Sequence, residues 1–344
     1  MKIAVVGGGS WGTAMARLLA DKGHAVSLWV HEKEVAEAIC RRHENVVYLP
    51  GIPLPTTLSA DVNMEAVLSG AKWVLFAVPS HAAREILTRM RPILREDIPV
   101  VSATKGIERG SLLFISEVIR EVLGRSTADS IAVLSGPSFA GEVARSHPTA
   151  VILSTSNRRL AARAQKLFST QTFKLLLNPD RIGVQAGGAL KNVMALAAGI
   201  SDGLGFGYNT KAILLARGLS EMTRLGVAMG AERDTFFGLS GMGDLFLTCC
   251  GALSRNRAVG QKLGEGTSLE KIYQGMQQVA EGVYTTESAY ALSKRHRIQA
   301  PIIRETYRVL FEEKSPRQAM LDLLKLARGR EMDFMENHQR PAIR

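Results

Sequence analysis

The sequence predicts two domains: an α/β domain with a doubly wound parallel sheet, followed by an all-α domain. Three observations carry this prediction. Short apolar runs alternate with amphipathic helical patterns up to residue 185, a glycine-rich turn follows the first apolar run, and helical patterns dominate from residue 186 onward. Nearly all-apolar strands between helices are typical of a parallel sheet that is covered on both faces.

The apolar runs are predicted strands because they are short, rich in β-branched residues and bounded by Gly, Pro or polar residues. They cover residues 3–6, 25–30, 73–78, 100–102, 131–134 and 151–153. The helical patterns between them cover residues 11–22, 33–42, 82–90, 112–123 and 158–168. We expect right-handed crossover connections between parallel strands arranged in this way.

The second half combines helical patterns with many small residues between positions 184 and 230. Further helices are predicted near residues 255–263, 269–277, 288–294, 302–311 and 316–327. We therefore assign residues 1–185 to the sheet domain and residues 186–330 to the helical domain. The polar tail, residues 331–344, is expected to be disordered.

The composition is that of a globular protein and argues against several other classes. The 344 residues are 46% hydrophobic and 22% charged, which suits about two domains and is too apolar for disorder. The three cysteines, Cys40, Cys249 and Cys250, are too few for a disulfide framework and lack metal-site spacing, so no metal is expected. With sparse cysteines, no visible signal peptide and no run of about 18 apolar residues, we expect a cytoplasmic protein without stable membrane insertion.

The formal net charge of +11 suggests an anionic partner. Residues 1–185 contribute +6 and residues 186–344 contribute +5, so the charge is spread evenly and forms no basic arm. Nucleic-acid binding usually involves clustered basic residues, so we expect no nucleic-acid partner. The distribution is compatible with a small anionic substrate.

The segment GGGSWG, residues 7–12, matches the pattern GxGxxG between a predicted strand and a predicted helix. In a dinucleotide-binding turn of this kind, Gly7 allows the tight turn, Gly9 lets the backbone approach a pyrophosphate, and Gly12 lets helix and strand pack closely. The helix N-terminus then offers N–H groups and a positive dipole to the phosphates. The alternative is a tight turn without a ligand.

The end of the second predicted strand bears on the choice of cofactor. NAD sites usually place an acidic residue about 20 residues after the glycines, against the ribose 2′-hydroxyl. Here the strand runs into His31, Glu32 and Lys33, with no acid at the strand end itself. Since His31 and Lys33 could meet a 2′-phosphate, the sequence favours NADP, or use of both NADP and NAD. The alternative is that all three are solvated residues at a helix start.

Later strand ends place polar residues toward the same edge of the sheet, where ligands of α/β proteins bind. Lys105, in the segment SATKG, follows one of these strands; its alternative is a solvated loop lysine. Gly136 and Ser138, in the segment SGPSFA, follow another. Gly136 suits close backbone approach, whereas the spacing of Ser138 favours a helix cap over contact with a ligand.

Lys191 stands out because the surrounding segment, residues 189–196, is almost wholly apolar. Lysine is rarely buried in such surroundings without a partner. Burial would lower its pKa and make it a usable acid or base near neutral pH. The alternative is a lysine whose stem lies along the helix surface while its amine reaches water.

Two segments of the second half add candidate ligand groups. Asp244 ends the turn GLSGMGD and is a candidate partner for a lysine or a substrate hydroxyl, with turn formation alone as the alternative. Ser254, Arg255 and Asn256 precede a helical pattern, and a helix N-terminus combined with a guanidinium suits a phosphate group. The alternative is an exposed basic helix start.

Together these segments resemble the NAD(P)-dependent glycerol-3-phosphate dehydrogenases of the soluble, bacterial type. The resemblance covers residues 1 to about 325 and rests on GGGSWGT (7–13), AVPSHA (77–82), SATKGIE (102–108), LSGPSFA (134–140), ALKNVMALAAGISDGLGFGYNTKAIL (189–214), GLSGMGDLFLTC (238–249) and SRNRAVG (254–260). One departure is the glycine at position 8, where many members have alanine. That position is not one of the three functional glycines of the pattern.

The resemblance implies a Rossmann-type domain followed by a helical domain like that of 6-phosphogluconate dehydrogenase. It also implies interconversion of sn-glycerol 3-phosphate and dihydroxyacetone phosphate, with hydride transfer to or from NAD(P), which supplies glycerol 3-phosphate for glycerophospholipid synthesis. A homodimer is the implied assembly, and a small phosphorylated substrate is the implied partner.

The resemblance further implies roles for individual residues. Those implied at the cofactor are Ser10, Trp11, His31, Lys105, Ala140, Arg255, Val279 and Glu281. Those implied at the substrate are Lys105, Gly136, Ser138, Lys191, Asp244, Ser254, Arg255 and Asn256. In the mechanism that follows, Lys191 is the proton acceptor, Lys105 polarises the carbonyl oxygen, and Asp244 orients Lys191 or a substrate hydroxyl.

Two other functions are open on the sequence alone. One is a dehydrogenase of another hydroxy acid, such as a 3-hydroxyacid, whose substrate carries a carboxylate in place of the phosphate. The other is a non-catalytic dinucleotide sensor, in which the first domain gates a helical module. The presence of Lys105, Lys191 and Asp244 together argues against the sensor.

Overall fold

The computed structural model describes residues 1–124, 130–276 and 280–325. Its eight strands are β1 (Lys2–Val6), β2 (Ala25–Trp29), β3 (Leu58–Asp61), β4 (Trp73–Phe76), β5 (Val100–Ser102), β6 (Ile131–Ser135), β7 (Thr149–Ser154) and β8 (Phe173–Leu177). They form one sheet in the order β3-β2-β1-β4-β5-β6-β7-β8. The first six follow the Rossmann order 3-2-1-4-5-6, which places a ligand crevice at the carboxyl ends of β1 and β4, where the strand order reverses.

Helices cover both faces of the sheet. They are α1 (Ser10–Asp21), α2 (Lys33–Arg42), α3 (Met64–Leu68), α4 (Ala83–Met90), α5 (Ile115–Val122), α6 (Ala140–Ala144) and α7 (Arg158–Phe168). One apolar cluster joins the strands to α1, α2 and α7, and a second joins them to α3, α4 and α5. The predicted doubly wound α/β fold is therefore confirmed.

The expectation of a wholly parallel sheet is wrong at one junction. The strands from β3 to β6 pair in parallel, but β7 runs antiparallel to β6, and β8 is parallel to β7. Between β6 and β7 lies only the five-residue helix α6, which packs against α1. A parallel crossover usually contains a longer helix, so here the chain returns beside β6 in the opposite direction.

The sequence patterns missed β3, α3 and β8. The strand β3 reads LSAD and has only one buried residue, and β8 reads FKLLL with two neighbouring leucines that are each 50% exposed. Both lie at edges of the sheet. Edge strands need not bury both faces, so their sequences lack the continuous apolar run of a central strand.

The second part of the described chain is helical. Its helices are α8 (Arg181–Gly203), α9 (Tyr208–Ala228), α10 (Asp244–Cys250), α11 (Arg255–Gly264), α12 (Leu269–Gln274), α13 (Glu281–Arg295), α14 (Pro301–Phe311) and α15 (Pro316–Lys325). The central helix α8 is buried along most of its length. Its glycines allow close contact: a Cβ atom on Gly187 would lie 2.3 Å from the carbonyl oxygen of Ser240, and one on Gly199 would lie 2.0 Å from that of Arg257.

Among the described residues, no helix has the length and apolar character needed to cross a membrane. The helix α8 begins at Arg181, and the predicted boundary after residue 185 falls within its first two turns. The predicted disordered tail, residues 331–344, lies outside the described residues and stays a prediction.

Candidate functional site

A cavity of about 940 Å³ lies between the sheet and the helical part of the chain. It opens at the carboxyl ends of β1 and β4 and reaches α8, α11 and α13. The sequence-predicted residues that line it are Gly7, Gly9, Ser10, Trp11, His31, Lys105, Ser138, Ala140, Lys191, Ser254, Arg255, Asn256 and Glu281. Gly12, Gly136 and Asp244 are not among the lining residues, and Val279 lies outside the described residues.

The glycine turn has the geometry that the pattern predicts. Gly7 has φ +117°, and a Cβ there would lie 2.5 Å from the carbonyl oxygen of Ala77. A Cβ on Gly12 would lie 1.8 Å from the carbonyl oxygen of Gly7, whereas one on Gly9 would point into open space. Since Gly9 precedes α1 and has no side chain, the backbone at this helix start is open to a phosphate.

The middle glycine of the turn is also constrained. A Cβ on Gly8 would lie 2.2 Å from Cγ1 and 2.9 Å from Cβ of Val30. An alanine at this position therefore requires Val30 to move. The pattern alone assigns no constraint to Gly8, because the constraint comes from Val30, directly after the neighbouring strand β2.

The end of β2 brings a carboxylate to the cavity as well as an imidazole. His31 and Glu32 both line it. The hydroxyl of Tyr48 donates to Glu32 Oε1 at 2.7 Å, and burial together with this bond raises the pKa of Tyr48 to about 12. Tyr48 was missed by the sequence reasoning because it lies on an irregular segment 16 positions further along the chain.

The chemical centre is a buried carboxylate between two lysines. Asp244 is 1% exposed; its Oδ1 accepts from Lys191 Nζ at 2.5 Å, and its Oδ2 accepts from Lys105 Nζ at 2.7 Å. Lys191 comes from the middle of α8, and Lys105 comes from the loop after β5. Asp244 begins α10 after one π-helical turn, Leu239–Gly243, a conformation that often marks functional sites.

This surrounding makes Lys191 a usable base. Burial, helped by the positive charge of Lys105, lowers the pKa of Lys191 to about 8, although the negative charge of Asp244 opposes the shift. The side chain is 8% exposed yet lines the cavity. The structure thus contradicts the alternative of a lysine whose amine reaches bulk water.

Thr248 is a third partner of the amine that the sequence reasoning missed. Its hydroxyl accepts from Lys191 Nζ at 2.8 Å and donates to the backbone carbonyl of Asp244 at 2.6 Å. Thr248 is four positions after Asp244, so α10 presents both side chains on one face. A threonine four positions after a buried acid in a helix is the sequence signal that could have predicted the role of Thr248.

Lys105 has a second partner at the end of β6. Its Nζ donates to the carbonyl oxygen of Gly136 at 2.9 Å, which contradicts the alternative of a solvated loop lysine. The hydroxyl of Ser138 donates to the same carbonyl at 3.1 Å and lines the cavity. The favoured helix-cap role of Ser138 is wrong, because the residue that caps α6 is Phe139.

The start of α11 supplies the cationic side of the cavity. Ser254 is the N-cap of α11, and its Oγ accepts from the backbone N–H of Arg257 at 3.2 Å. Asn256 Nδ2 donates to Asn192 Oδ1, and Asn256 Oδ1 accepts from the backbone N–H of Gly282, both at 2.9 Å. These contacts hold α8, α11 and α13 together at the point where Arg255 lines the cavity.

Glu281 connects the helical part to the sheet. Its Oε1 accepts from the backbone N–H of Ser80 at 3.0 Å, and its Oε2 accepts from the Ser80 hydroxyl. Burial raises the pKa of Glu281, against the effect of these hydrogen bonds. Ser80 lies in the loop after β4, beside the crevice, and it was missed by the sequence reasoning.

The chain is similar to known proteins over nearly its whole length. Models of the N-terminus and the C-terminus of NAD-dependent glycerol-3-phosphate dehydrogenase match residues 2–161 and 180–321. The chain is 49% identical over 333 residues to a glycerol-3-phosphate dehydrogenase (NAD(P)+) of Syntrophotalea carbinolica, covering 97% of this chain and 100% of the relative. A crystal structure of glycerol-3-phosphate dehydrogenase from Coxiella burnetii matches with a TM-score of 0.90 and 41% identity, covering 94% of this chain and 98% of that one.

Proposed function

The chain belongs to the family of NAD-dependent glycerol-3-phosphate dehydrogenases, and we propose that it interconverts sn-glycerol 3-phosphate and dihydroxyacetone phosphate with NAD(P). The observation that carries this proposal is the buried amine of Lys191, held by Asp244 at the wall of the cavity that the glycine turn also lines. The reaction supplies glycerol 3-phosphate, a building block for glycerophospholipid synthesis.

The residues present fit a dinucleotide. The open side of Gly9 and the start of α1 suit a pyrophosphate, and His31 and Glu32 line the same cavity at the end of β2. Bound NAD(P) supplies the nicotinamide ring that accepts or gives the hydride. We assign Ser10, Trp11, His31, Lys105, Ala140, Arg255 and Glu281 to the dinucleotide side of the cavity.

In the oxidation direction, neutral Lys191 takes the proton of the substrate C2 hydroxyl as the hydride leaves C2. In the reduction direction, protonated Lys191 returns that proton to the C2 oxygen. Asp244 and Thr248 orient the amine, since both bind it directly. Lys105 brings a second positive charge to the same carboxylate and polarises the carbonyl oxygen of dihydroxyacetone phosphate.

Arg255 and the start of α11 suit the phosphate of the substrate. A helix N-terminus offers backbone N–H groups to an anion, and a guanidinium adds charge-assisted hydrogen bonds. Ser254 and Asn256 hold this helix start in place through the hydrogen bonds described above. Ser138 lines the cavity beside Lys105, and the carbonyl of Gly136 accepts hydrogen bonds from both side chains.

The cofactor preference follows from the end of β2. The Glu32 carboxylate at the cavity suits a ribose 2′-hydroxyl, whereas His31 in its protonated form suits a 2′-phosphate. Lys33 is not among the lining residues. We therefore propose use of both NAD and NADP, in place of a clear preference for NADP.

Two further assignments come from the sequence. The sparse cysteines support a cytoplasmic location, and the family resemblance supports a homodimer. Sedimentation of the purified protein at micromolar concentration checks the dimer.

The direct test is reduction of dihydroxyacetone phosphate, run with NADH and with NADPH in parallel. We expect oxidation of both cofactors and formation of glycerol 3-phosphate. A 2-keto acid and a 3-keto acid, offered under the same conditions, should give far slower oxidation. Tight cofactor binding without turnover of any of these substrates would instead identify a sensor.

A further inference from the structure

We propose that one face of α13 holds Lys105 in its working position by binding two loops, the loop after β4 and the loop after β5 that carries Lys105 itself. We call this contact the α13 clasp; it consists of Glu281, Tyr284, Glu287 and Ser288 on α13, with Ser80, His81, Ile107, Glu108 and Arg109 on the loops. The inference rests on the proposed function for the role of Lys105. It makes Tyr284 and Arg109 positioning residues of the reaction.

The first contacts of the α13 clasp are with the loop after β4. Glu281 accepts two hydrogen bonds from Ser80, as described above. One turn further along α13, the ring of Tyr284 stacks on the ring of His81, with centroids 4.7 Å apart and planes inclined by 29°. Both contacts join the helical part of the chain to the sheet, across sequence separations of about 200 residues.

The α13 clasp also contacts the loop after β5. The guanidinium of Arg109 forms an ion pair with Glu287 and lies over the ring of Tyr284, with Cζ 5.7 Å from the centroid. The hydroxyl of Ser288 donates to the backbone carbonyls of Ile107 at 3.2 Å and Glu108 at 3.4 Å. Tyr284 therefore contacts both loops at once.

The two loops are packed tightly against each other next to Lys105. Thr104 Oγ1 donates to the carbonyl oxygen of Val78 at 2.8 Å. A Cβ on Gly106 would lie 2.4 Å from Cβ of Ser80, so the chain on that side has no free space. Lys105 stands between Thr104 and Gly106. The contacts of Thr104 and Gly106 fix the backbone of Lys105 on both sides, and we infer that the α13 clasp stabilises these contacts. The fixed backbone in turn sets the position from which the Lys105 amine donates to Asp244.

The same helix offers a matched control on its other side. Tyr290 stacks on Tyr307 of α14 with ring centroids 4.2 Å apart, and its own ring is covered by the amine of Lys294. Tyr290 is thus an aromatic residue on α13 with a stacking partner and a cation, like Tyr284, but its partners belong to the helical part of the chain.

The test is a double-mutant cycle between Tyr284 and Lys105, read by the dissociation constant of NADPH and by kcat/KM for dihydroxyacetone phosphate. Tyr284→Ala alone should weaken NADPH binding and lower kcat/KM, the latter about tenfold, in line with the loss of one stacked pair and one cation–π contact. In the Lys105→Ala background, the same substitution should change either quantity less than about twofold. Equal effects in both backgrounds would show that the clasp does not act through Lys105.

Three variants separate positioning from general stability. Tyr284→Phe keeps the ring and should restore nearly all of the activity. Tyr290→Ala should stay within about twofold of the wild type; a loss equal to that of Tyr284→Ala contradicts the proposal. If Tyr284→Ala does not fold, the double-mutant cycle with Lys105 is run with Arg109→Met instead. The Arg109 side chain is 49% exposed, so its removal leaves the core intact.

The two readouts also separate the clasp from the proposed function. If the wild type binds NADPH but does not reduce dihydroxyacetone phosphate, the proposed function fails, and the binding cycle still decides the clasp. If the wild type is active and both cycles are additive, the clasp fails and the function stands.

Discussion

A lysine amine acts as a base near neutral pH when its surroundings disfavour the charged form, and burial does this for Lys191 by lowering its pKa to about 8. Oxidation needs the neutral amine, so kcat for glycerol 3-phosphate oxidation should rise as the pH increases through about 8. Reduction needs the protonated amine, so kcat for dihydroxyacetone phosphate should fall over the same range. Stopped-flow or steady-state kinetics between pH 6 and pH 10 check both directions.

Lys191→Ala should lower kcat by at least ~10²-fold, as expected for the loss of a general acid–base group, and should abolish the inflection near pH 8. Circular dichroism serves as the control for folding. Near-normal turnover in a folded variant would mean that another group moves the proton.

Thr248 tests the orientation of the amine. Thr248→Val removes the hydroxyl that accepts from Lys191 while preserving the shape of the side chain. We expect kcat to fall about tenfold with little change in KM. The inflection should move to lower pH, because the charged amine loses an acceptor. Thr248→Ser retains the hydroxyl and should behave like the wild type; a loss of equal size in this variant would exclude the orienting role.

At the level of single residues, the sequence predicted those whose type conflicts with their surroundings. Lys191 in an apolar helix is visible in this way, whereas Asp244 was predicted only as a candidate at the end of a glycine-rich turn. Thr248, Tyr48 and Ser80 are not, because a threonine, tyrosine or serine fits ordinary positions and its role depends on a distant partner. Ser138 was misread for a local reason: its hydroxyl binds the carbonyl of Gly136, two positions earlier, in place of the helix start.

Among the helices, the start of α14 depends on a carboxylate from another helix. Glu221 of α9 is 1% exposed and accepts from the backbone N–H groups of Ile302 at 2.8 Å and Ile303 at 3.2 Å. Glu221→Ala leaves these N–H groups unpaired and should lower the free energy of unfolding by about 2 kcal/mol. Glu312→Ala removes an exposed partner of Arg308 and should change it by less than about 0.5 kcal/mol.

The pH dependence of this effect has a definite sign. Burial raises the pKa of Glu221 to about 7, above its usual value in an unfolded chain. Its stabilising contribution is therefore complete at low pH and declines as the pH rises through about 7. Urea unfolding should show a larger cost of Glu221→Ala at pH 6 than at pH 8. The reverse order would mean that the carboxylate binds the start of α14 best in its charged form.

Elements with a complete local signal were predicted closely. Helices α2 and α7 and strand β5 have the predicted bounds, because their apolar patterns and flanking residues agree. The antiparallel entry of β7 has no local signal, since a strand reads the same in either direction. Its direction is decided by the short α6 and its packing against α1.

On the scale of the whole molecule, the proposed catalytic centre exists only where the two parts of the chain meet. Lys191 and Asp244 come from the helical part, and Lys105 and the glycine turn come from the sheet. Asp244 binds one lysine from each part, so a single carboxylate joins them at the centre of the cavity. This arrangement explains why sequence motifs that are about 50 to 140 positions apart act together.

The net charge of +11 is also a property of the whole molecule. The phosphorylated substrate is an anion, and an excess of positive charge raises its local concentration near the cavity. Salt screens this attraction over a Debye length of about 10 Å at 0.1 M. With saturating cofactor, kcat/KM for dihydroxyacetone phosphate should fall as the ionic strength rises from about 0.05 to about 0.5 M.

Substitution of Arg255 tests how much of the ionic-strength dependence arises inside the cavity. Arg255→Ala should lower kcat/KM for dihydroxyacetone phosphate and flatten its dependence on ionic strength, because the guanidinium lines the cavity and is the group we propose for the phosphate. Turnover of unphosphorylated dihydroxyacetone provides the control and should respond little to salt or to the substitution. If Arg255→Ala affects both substrates equally, the guanidinium does not bind the phosphate. An unchanged slope in the variant would assign the attraction to the dispersed surface charge.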